Sequence, residues 1–89
     1  MRFHFAFHYA YNRDMEKNES IRDEILQLLL HHLGEKVSAS YYSHYADETL
    51  PIYVHHAYVL LSSLIGEQKS KDEIDTILLK HSLYSISYA

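Results

Sequence analysis

The side chains with the widest chemical reach in this 89-residue chain are its eight histidines. Imidazole serves as a general acid, a general base or a metal ligand, so the spacing of these residues decides what they can do. His4 and His8 form an H-x-x-x-H pair, which on a helix would chelate a metal. They stand, however, in an alternating run, and on a strand they would sit about 13 Å apart at roughly 3.3 Å per residue. One zinc ion with Zn–N bonds of about 2.0–2.1 Å does not bridge that gap. His31–His32 and His55–His56 are adjacent pairs, whose side chains diverge by about 100° on a helix. One juxtaposition remains. His44 on a second strand could face His4 or His8, with Cβ atoms about 4.5–5.5 Å apart. That arrangement would suit a metal-binding domain or a histidine-dependent ribonuclease, and it is the alternative reading of the chain.

Other catalytic signatures are missing from the sequence. There is no cysteine, hence no disulfide, thiolate metal site or cysteine nucleophile. The two glycines, Gly34 and Gly66, are better placed to end helices than to cradle phosphate. Asp72, Glu73 and Asp75 form a carboxylate cluster, but first-turn helix positions account for them through the helix dipole. An enzyme is therefore not expected, and neither a cofactor nor a metal is called for.

Twelve acidic residues face eight Lys and Arg, giving a net charge of −4 without a basic cluster. Nucleic-acid binding through phosphates is disfavoured on that balance. Protonation of all eight histidines would carry the charge to about +4, at an ordinary histidine pKa of about 6.5. No apolar run reaches the roughly 20 residues of a membrane span, and Arg2, His4 and His8 interrupt any leader-like stretch. The expectation is a soluble, cytoplasmic protein.

The elements that must position these residues follow from periodicity. Met1 to Tyr11 (M-R-F-H-F-A-F-H-Y-A-Y) alternates, placing Met1, Phe3, Phe5, Phe7, Tyr9 and Tyr11 on one face and reading as a half-buried strand. Residues 20–33 read as a helix capped by Ser20, with Ile21, Ile25, Leu28, Leu29 and Leu33 at helical spacing and Gly34 as its stop. His32 falls on the apolar face of this helix, His31 on the wet one. Leu26 and Leu30 widen the stripe towards a flanking neighbour or another chain. Lys36 to Tyr45 alternates again and reads as a second strand. For residues 49–65 the helical pattern is cleaner than the strand pattern: Thr49 can cap, Pro51 suits a first turn and Gly66 ends the run, with Ile52 and Val59 the only misfits. A third helix starts at Ser70, and Leu83 to Tyr88 reads as a closing strand, with Tyr84, Ile86 and Tyr88 opposite Ser85 and Ser87. L-L-H-H-L-G-E at 29–35 echoes L-L-S-S-L-I-G-E at 60–67, as two helices ending alike.

The fold expected is a single α+β domain over residues 1–89. It is a small two-layer sandwich with a three-stranded sheet and about three helices, in the order β-α-β-α-α-β. Reading 50–61 as a strand instead would give a ferredoxin-like βαββαβ order. Either way an open sheet face would present His4, His8, Tyr42 and His44 for docking. Leu26, Leu30, His55 and His56 would form an alternative interface on the helices. The nine tyrosines support recognition of a protein, because Tyr joins apolar area to a hydroxyl at low side-chain entropy cost. The function expected is that of a small regulatory or inhibitory protein. It would act by protein–protein binding, in the manner of an antitoxin or of a phage or mobile-element inhibitor, or else assemble as a homo-oligomer.

Overall fold

A computed structural model describes the backbone of residues 2–83 and 86–89 and the side chains of residues 17–83 and 86–89. It contains three helices, α1 (Arg2–Tyr45), α2 (Leu50–Ile65) and α3 (Glu67–Lys80). Among the described residues there is no strand. The α+β sandwich and its ferredoxin-like alternative are both overturned, and the fold is all-α.

The three errors have separate physical causes. The alternating run at 1–11 lies in α1 from Arg2 onward, where a strand was expected. Any strict alternation also contains an i, i+4, i+8 series, here Phe3, Phe7 and Tyr11, so period two does not by itself exclude a helix. No glycine or proline stands between Met1 and Leu33 to interrupt a helix nucleated at Ile21, Ile25 and Leu29, and propagation from an existing turn is cheap. The second expected strand, Lys36 to Tyr45, is the last three turns of α1. Gly34 does break the helix, but the chain resumes helical geometry at once on the other side of a kink. Ser38 and Tyr41 are buried and Tyr45 is half-buried, which is one helical face at 3- and 4-residue spacing. The described part of the third expected strand, Leu83 and Ile86–Ala89, belongs to no strand or helix.

The helical predictions fare better. Ile21, Ile25 and Leu29 are fully buried and form the α1 contribution to the core. Helix α2 begins one residue after Thr49, carries Pro51 in its first turn and stops at Gly66. Ile52 and Val59, the two misfits of its apolar face, are exposed. The capping assignments at Ser20 and Ser70 fail: helix α1 runs through Ser20, and α3 starts three residues before Ser70, which is buried inside it. Thr49 stands at the N-cap of α2, though its side chain makes no capping hydrogen bond.

Both glycines serve as corners. Gly34 has φ 86° and ψ 175°, and Gly66 has φ 89° and ψ 159°. This region of conformational space belongs almost solely to glycine. Each corner lets one helix end and the next begin with a single residue between them. Gly66 N–H donates to the Ser62 carbonyl at 3.1 Å and Gly66 O accepts from Ser70 N–H at 3.1 Å. The echo in the sequence thus extends further than two matching helix ends. G-E-x-x-S occurs at Gly34–Ser38 and again at Gly66–Ser70, and both serines are buried where the turned helix enters the core. The chain is built as two helical elbows, 17–45 and 50–80, joined by the short turn at 46–49.

The core is one apolar cluster. Ile21, Ile25, Leu29 and Tyr41 come from α1, Tyr53, Val54, Ala57 and Leu61 from α2, and Ile74 and Leu78 from α3, with Tyr88 sealing one end. Arg22 ties the first elbow shut. Its guanidinium donates to Ala46 O at 2.9 Å and to Glu48 O, holds Asn18 Oδ1 at 2.6 Å, and lies 4.8 Å from the centre of the Tyr53 ring. Helix α3 is sewn to α1 by ion pairs, with Glu73 against His32 at 2.9 Å and Glu24 accepting from Lys80 at 2.8 Å and from His81.

Candidate protein-binding groove

The kink at Gly34 does more than compact the chain. Leu26 and Leu30 sit one turn apart before the corner, and Ala39 and Tyr42 lie after it. Bending α1 brings all four to one groove of about 500 Å³, edged by Gln27 and Glu35. Leu30 and Tyr42 are exposed, the latter at 45%, while Leu26 is half-buried. The groove is thus apolar surface that no other part of the described chain covers. Its floor is anchored by Ser38, whose hydroxyl donates to Gly34 O at 2.9 Å and Glu35 O at 3.1 Å. Among the described residues no lysine or arginine lines it, and Glu35 is its one carboxylate.

Behind the groove stands a rigid aromatic wall. The Tyr41 hydroxyl donates to the Tyr53 carbonyl, and the two rings are 4.9 Å apart. Burial, reinforced by Tyr53, pushes the Tyr41 hydroxyl well above the usual tyrosine range, and burial does the same for Tyr53. Neither phenol is a candidate base. Both act as packing with one satisfied polar end. The Tyr45 ring, 5.4 Å from that of Tyr41, stacks on His56 at 4.0 Å and 14°.

Of the eight residues expected to bind a partner, the six whose side chains are described do not form one surface. Leu26, Leu30 and Tyr42 meet in the groove, which joins one member of the supposed sheet face to two of the supposed helical interface. His44 is exposed, and its Nδ1–H donates to the Ser40 carbonyl at 2.7 Å, an intrahelical bond. His55 and His56 do not line the groove; His55 donates to the Tyr88 carbonyl and His56 stacks on Tyr45. The side chains of His4 and His8 lie outside the described residues. The pairing of His44 with either of them across a sheet is withdrawn, because it rested on strand geometry and His44 stands on a helix. Among the described residues no three His, Asp or Glu side chains gather as a metal site would require.

Sequence reasoning passed over Arg22, Tyr53, Ala39 and the Glu24–Lys80–His81 cluster. Lys80, then His81, hold the Glu24 carboxyl below its usual range. Nothing in the local pattern pairs His81 with a residue 57 positions away.

No helix among the described residues is long and apolar enough to cross a membrane. In comparisons with protein-family models, curated proteins and solved structures, nothing matches this chain.

Proposed function

We propose that this chain is a small helical module that regulates a partner protein by capturing an amphipathic, basic helix in the Gly34 groove. The observation that carries the reading is the convergence of Leu26, Leu30, Ala39 and Tyr42 across a kink that only glycine permits. A groove between two helical limbs is the geometry that takes a third helix through apolar anchors at i, i+3/i+4 and i+7. Glu35 on its edge, with an overall charge of −4, favours lysine and arginine on the flanks of the incoming helix. The exposed aromatic at the centre, Tyr42, is the residue type that most often anchors such contacts.

The probe is a pair of model peptides of about fifteen residues, long enough to form a helix on the surface, with identical leucine patterns. One carries lysine and the other glutamate at the polar positions. The leucine–lysine helix should bind saturably and the leucine–glutamate helix should not. Leu30→Asp and Tyr42→Ala should abolish binding while leaving the circular dichroism spectrum unchanged. Leu79→Asp, at an exposed apolar site on α3, should leave it intact. Equal binding of both peptides, or equal loss from Leu79→Asp, would overturn the proposal. So would mass that rises with concentration and is cured by Leu30→Asp, which would assign the groove to a second copy.

A further inference from the structure

A second groove, between α2 and α3, is already filled, and its occupant shows what it recognises. Beyond the turn at Ser82, residues 86–89 belong to no helix or strand, and Tyr88 touches α2 at His55 and Tyr58 and α3 at Asp75. Along this segment burial alternates: Ile86 is half-buried, Ser87 exposed, Tyr88 buried and Ala89 exposed. That is how an extended peptide sits in a groove that reads every second side chain.

Tyr88 is the anchor. Its hydroxyl donates to the Asp75 carboxylate, with the Lys71 carbonyl a further 3.4 Å acceptor, and its ring meets Tyr58 edge-on at 5.6 Å. Its backbone carbonyl accepts from His55 Nδ1–H. Ring, hydroxyl and main chain are therefore each met by a different partner, and a main-chain contact is indifferent to sequence. Beside the segment a space of about 510 Å³ lies between α3, at Leu78 and Leu79, and the residues Leu83 and Ile86. The turn that delivers the segment is held in a conformation non-glycine residues disfavour, since Ser82 has φ 60°.

We propose that the α2–α3 groove is a peptide-binding site for extended segments carrying a tyrosine two residues after a branched aliphatic, and that Ile86–Tyr88 occupies it in cis. A partner segment of the same chemistry binds by displacing the resident one. The Asp75 carboxylate that accepts the hydroxyl selects plain tyrosine over phosphotyrosine, because a phosphate there would meet a negative charge. This site is separate from the Gly34 groove, so either reading can fail without the other.

The test uses the full chain with Tyr88→Ala, which vacates the anchor, and a fluorescent peptide of the sequence of residues 83–89, followed by anisotropy. The variant should bind the peptide saturably. The wild-type chain should bind it at least ~10-fold more weakly, because a tethered copy competes at an effective concentration on the order of millimolar. Phosphorylating the peptide's second tyrosine should abolish binding, and adding Asp75→Asn to the variant should weaken it several-fold. Equal binding to wild type and variant, or none to a variant that keeps its helical spectrum, would overturn the proposal. Should Tyr88→Ala unfold, the wild-type chain is titrated with unlabelled peptide to millimolar concentration by NMR. Shifts at His55, Tyr58, Lys71 and Asp75 support displacement, and their absence refutes it.

Discussion

Replacing Gly34 with alanine tests the elbow architecture most directly, because two opposing outcomes are open to the chain. In the first, the corner stays bent and alanine is forced to φ 86°, ψ 175°. A Cβ built there meets nothing within 4 Å, so the cost is backbone strain alone, about 1–3 kcal/mol. In the second, residue 34 relaxes into helical geometry and α1 straightens. Alanine gains roughly 1 kcal/mol of helix propensity over glycine. Straightening, however, would swing Ser38, Tyr41 and Tyr45 away from α2. Tyr41 is 2% exposed, and burial of a large side chain is worth about 1.5–3 kcal/mol. Its hydrogen bond to Tyr53 O adds about 1 kcal/mol, and the Arg22 bonds to Ala46 O and Glu48 O would go as well. The loss on straightening exceeds both the propensity gain and the strain, so the variant remains bent and strained. At about 4–8 °C per kcal/mol for a domain of this size, its melting temperature should fall on the order of 10 °C. Gly66→Ala, at nearly the same dihedral angles and with equal space around its Cβ, should cost a similar amount. Denaturant unfolding of both variants, with small-angle scattering of the folded states, provides the check. If Gly34→Ala is as stable as wild type, the conformation assigned to the corner is wrong. If it is stable and longer, the Tyr41 contacts are worth less than argued.

Other substitutions read the contacts around this frame. Arg22→Lys keeps the charge but loses the fork that reaches Ala46 O and Glu48 O together, and should cost about 1.5–3 kcal/mol in denaturant unfolding. The paired serines should part company. Ser38→Ala removes bonds to Gly34 O and Glu35 O and should cost about 1 kcal/mol. Ser70→Ala removes a buried hydroxyl with no partner among the described residues and should be neutral or stabilising in the same assay. Glu24 titrates lower in the folded chain than in the unfolded one, so its pairs with Lys80 and His81 stabilise at pH above the unfolded carboxyl value and are lost as pH falls through the folded one. Wild type should therefore lose stability more steeply than Glu24→Gln on acidification below about pH 5. Tyr41, Tyr53 and Tyr88 have raised folded values, so their contribution is complete below the unfolded value of about 10 and is lost as pH rises beyond it. Tyrosinate absorbance should show a late fraction that each Tyr→Phe variant reduces.

What the sequence disclosed depended on whether a residue's partners were near it in the chain. Ile21, Ile25 and Leu29, or Leu50 through Ile65, carry their own periodicity, and their helices and core faces could be read directly. The runs at 1–11 and 36–45 alternate and helical spacing is embedded in the alternation, so local pattern could not choose between the two. Tertiary packing chose: once Gly34 turned the chain, Ser38, Tyr41 and Tyr45 fell on the α2 side. Period two at 83–88 did report something real at its described positions, since Ile86 and Tyr88 point inward and Ser87 outward, but the surface receiving them is a helical groove. The groove residues Leu26 and Leu30 were legible as apolar surplus. Their meeting with Tyr42 was not, because it depends on the angle of one glycine.

The histidines illustrate the same dependence in the other direction. Their number suggested chemistry, but among the described residues four reach a group on another segment, each in a different structural contact: His32 on Glu73, His81 on Glu24, His55 on the Tyr88 carbonyl and His56 on the Tyr45 ring. Each of these contacts joins segments distant in sequence, and each uses the ring's combination of a flat face and a polar edge. A catalytic centre needs such groups converged on one reacting atom; here they are spread along the seams of the bundle. The Gly34 corner and the Ser82 turn set where the two grooves lie. On the proposed reading of those grooves, a substitution at either turn should alter binding without touching a single contact residue.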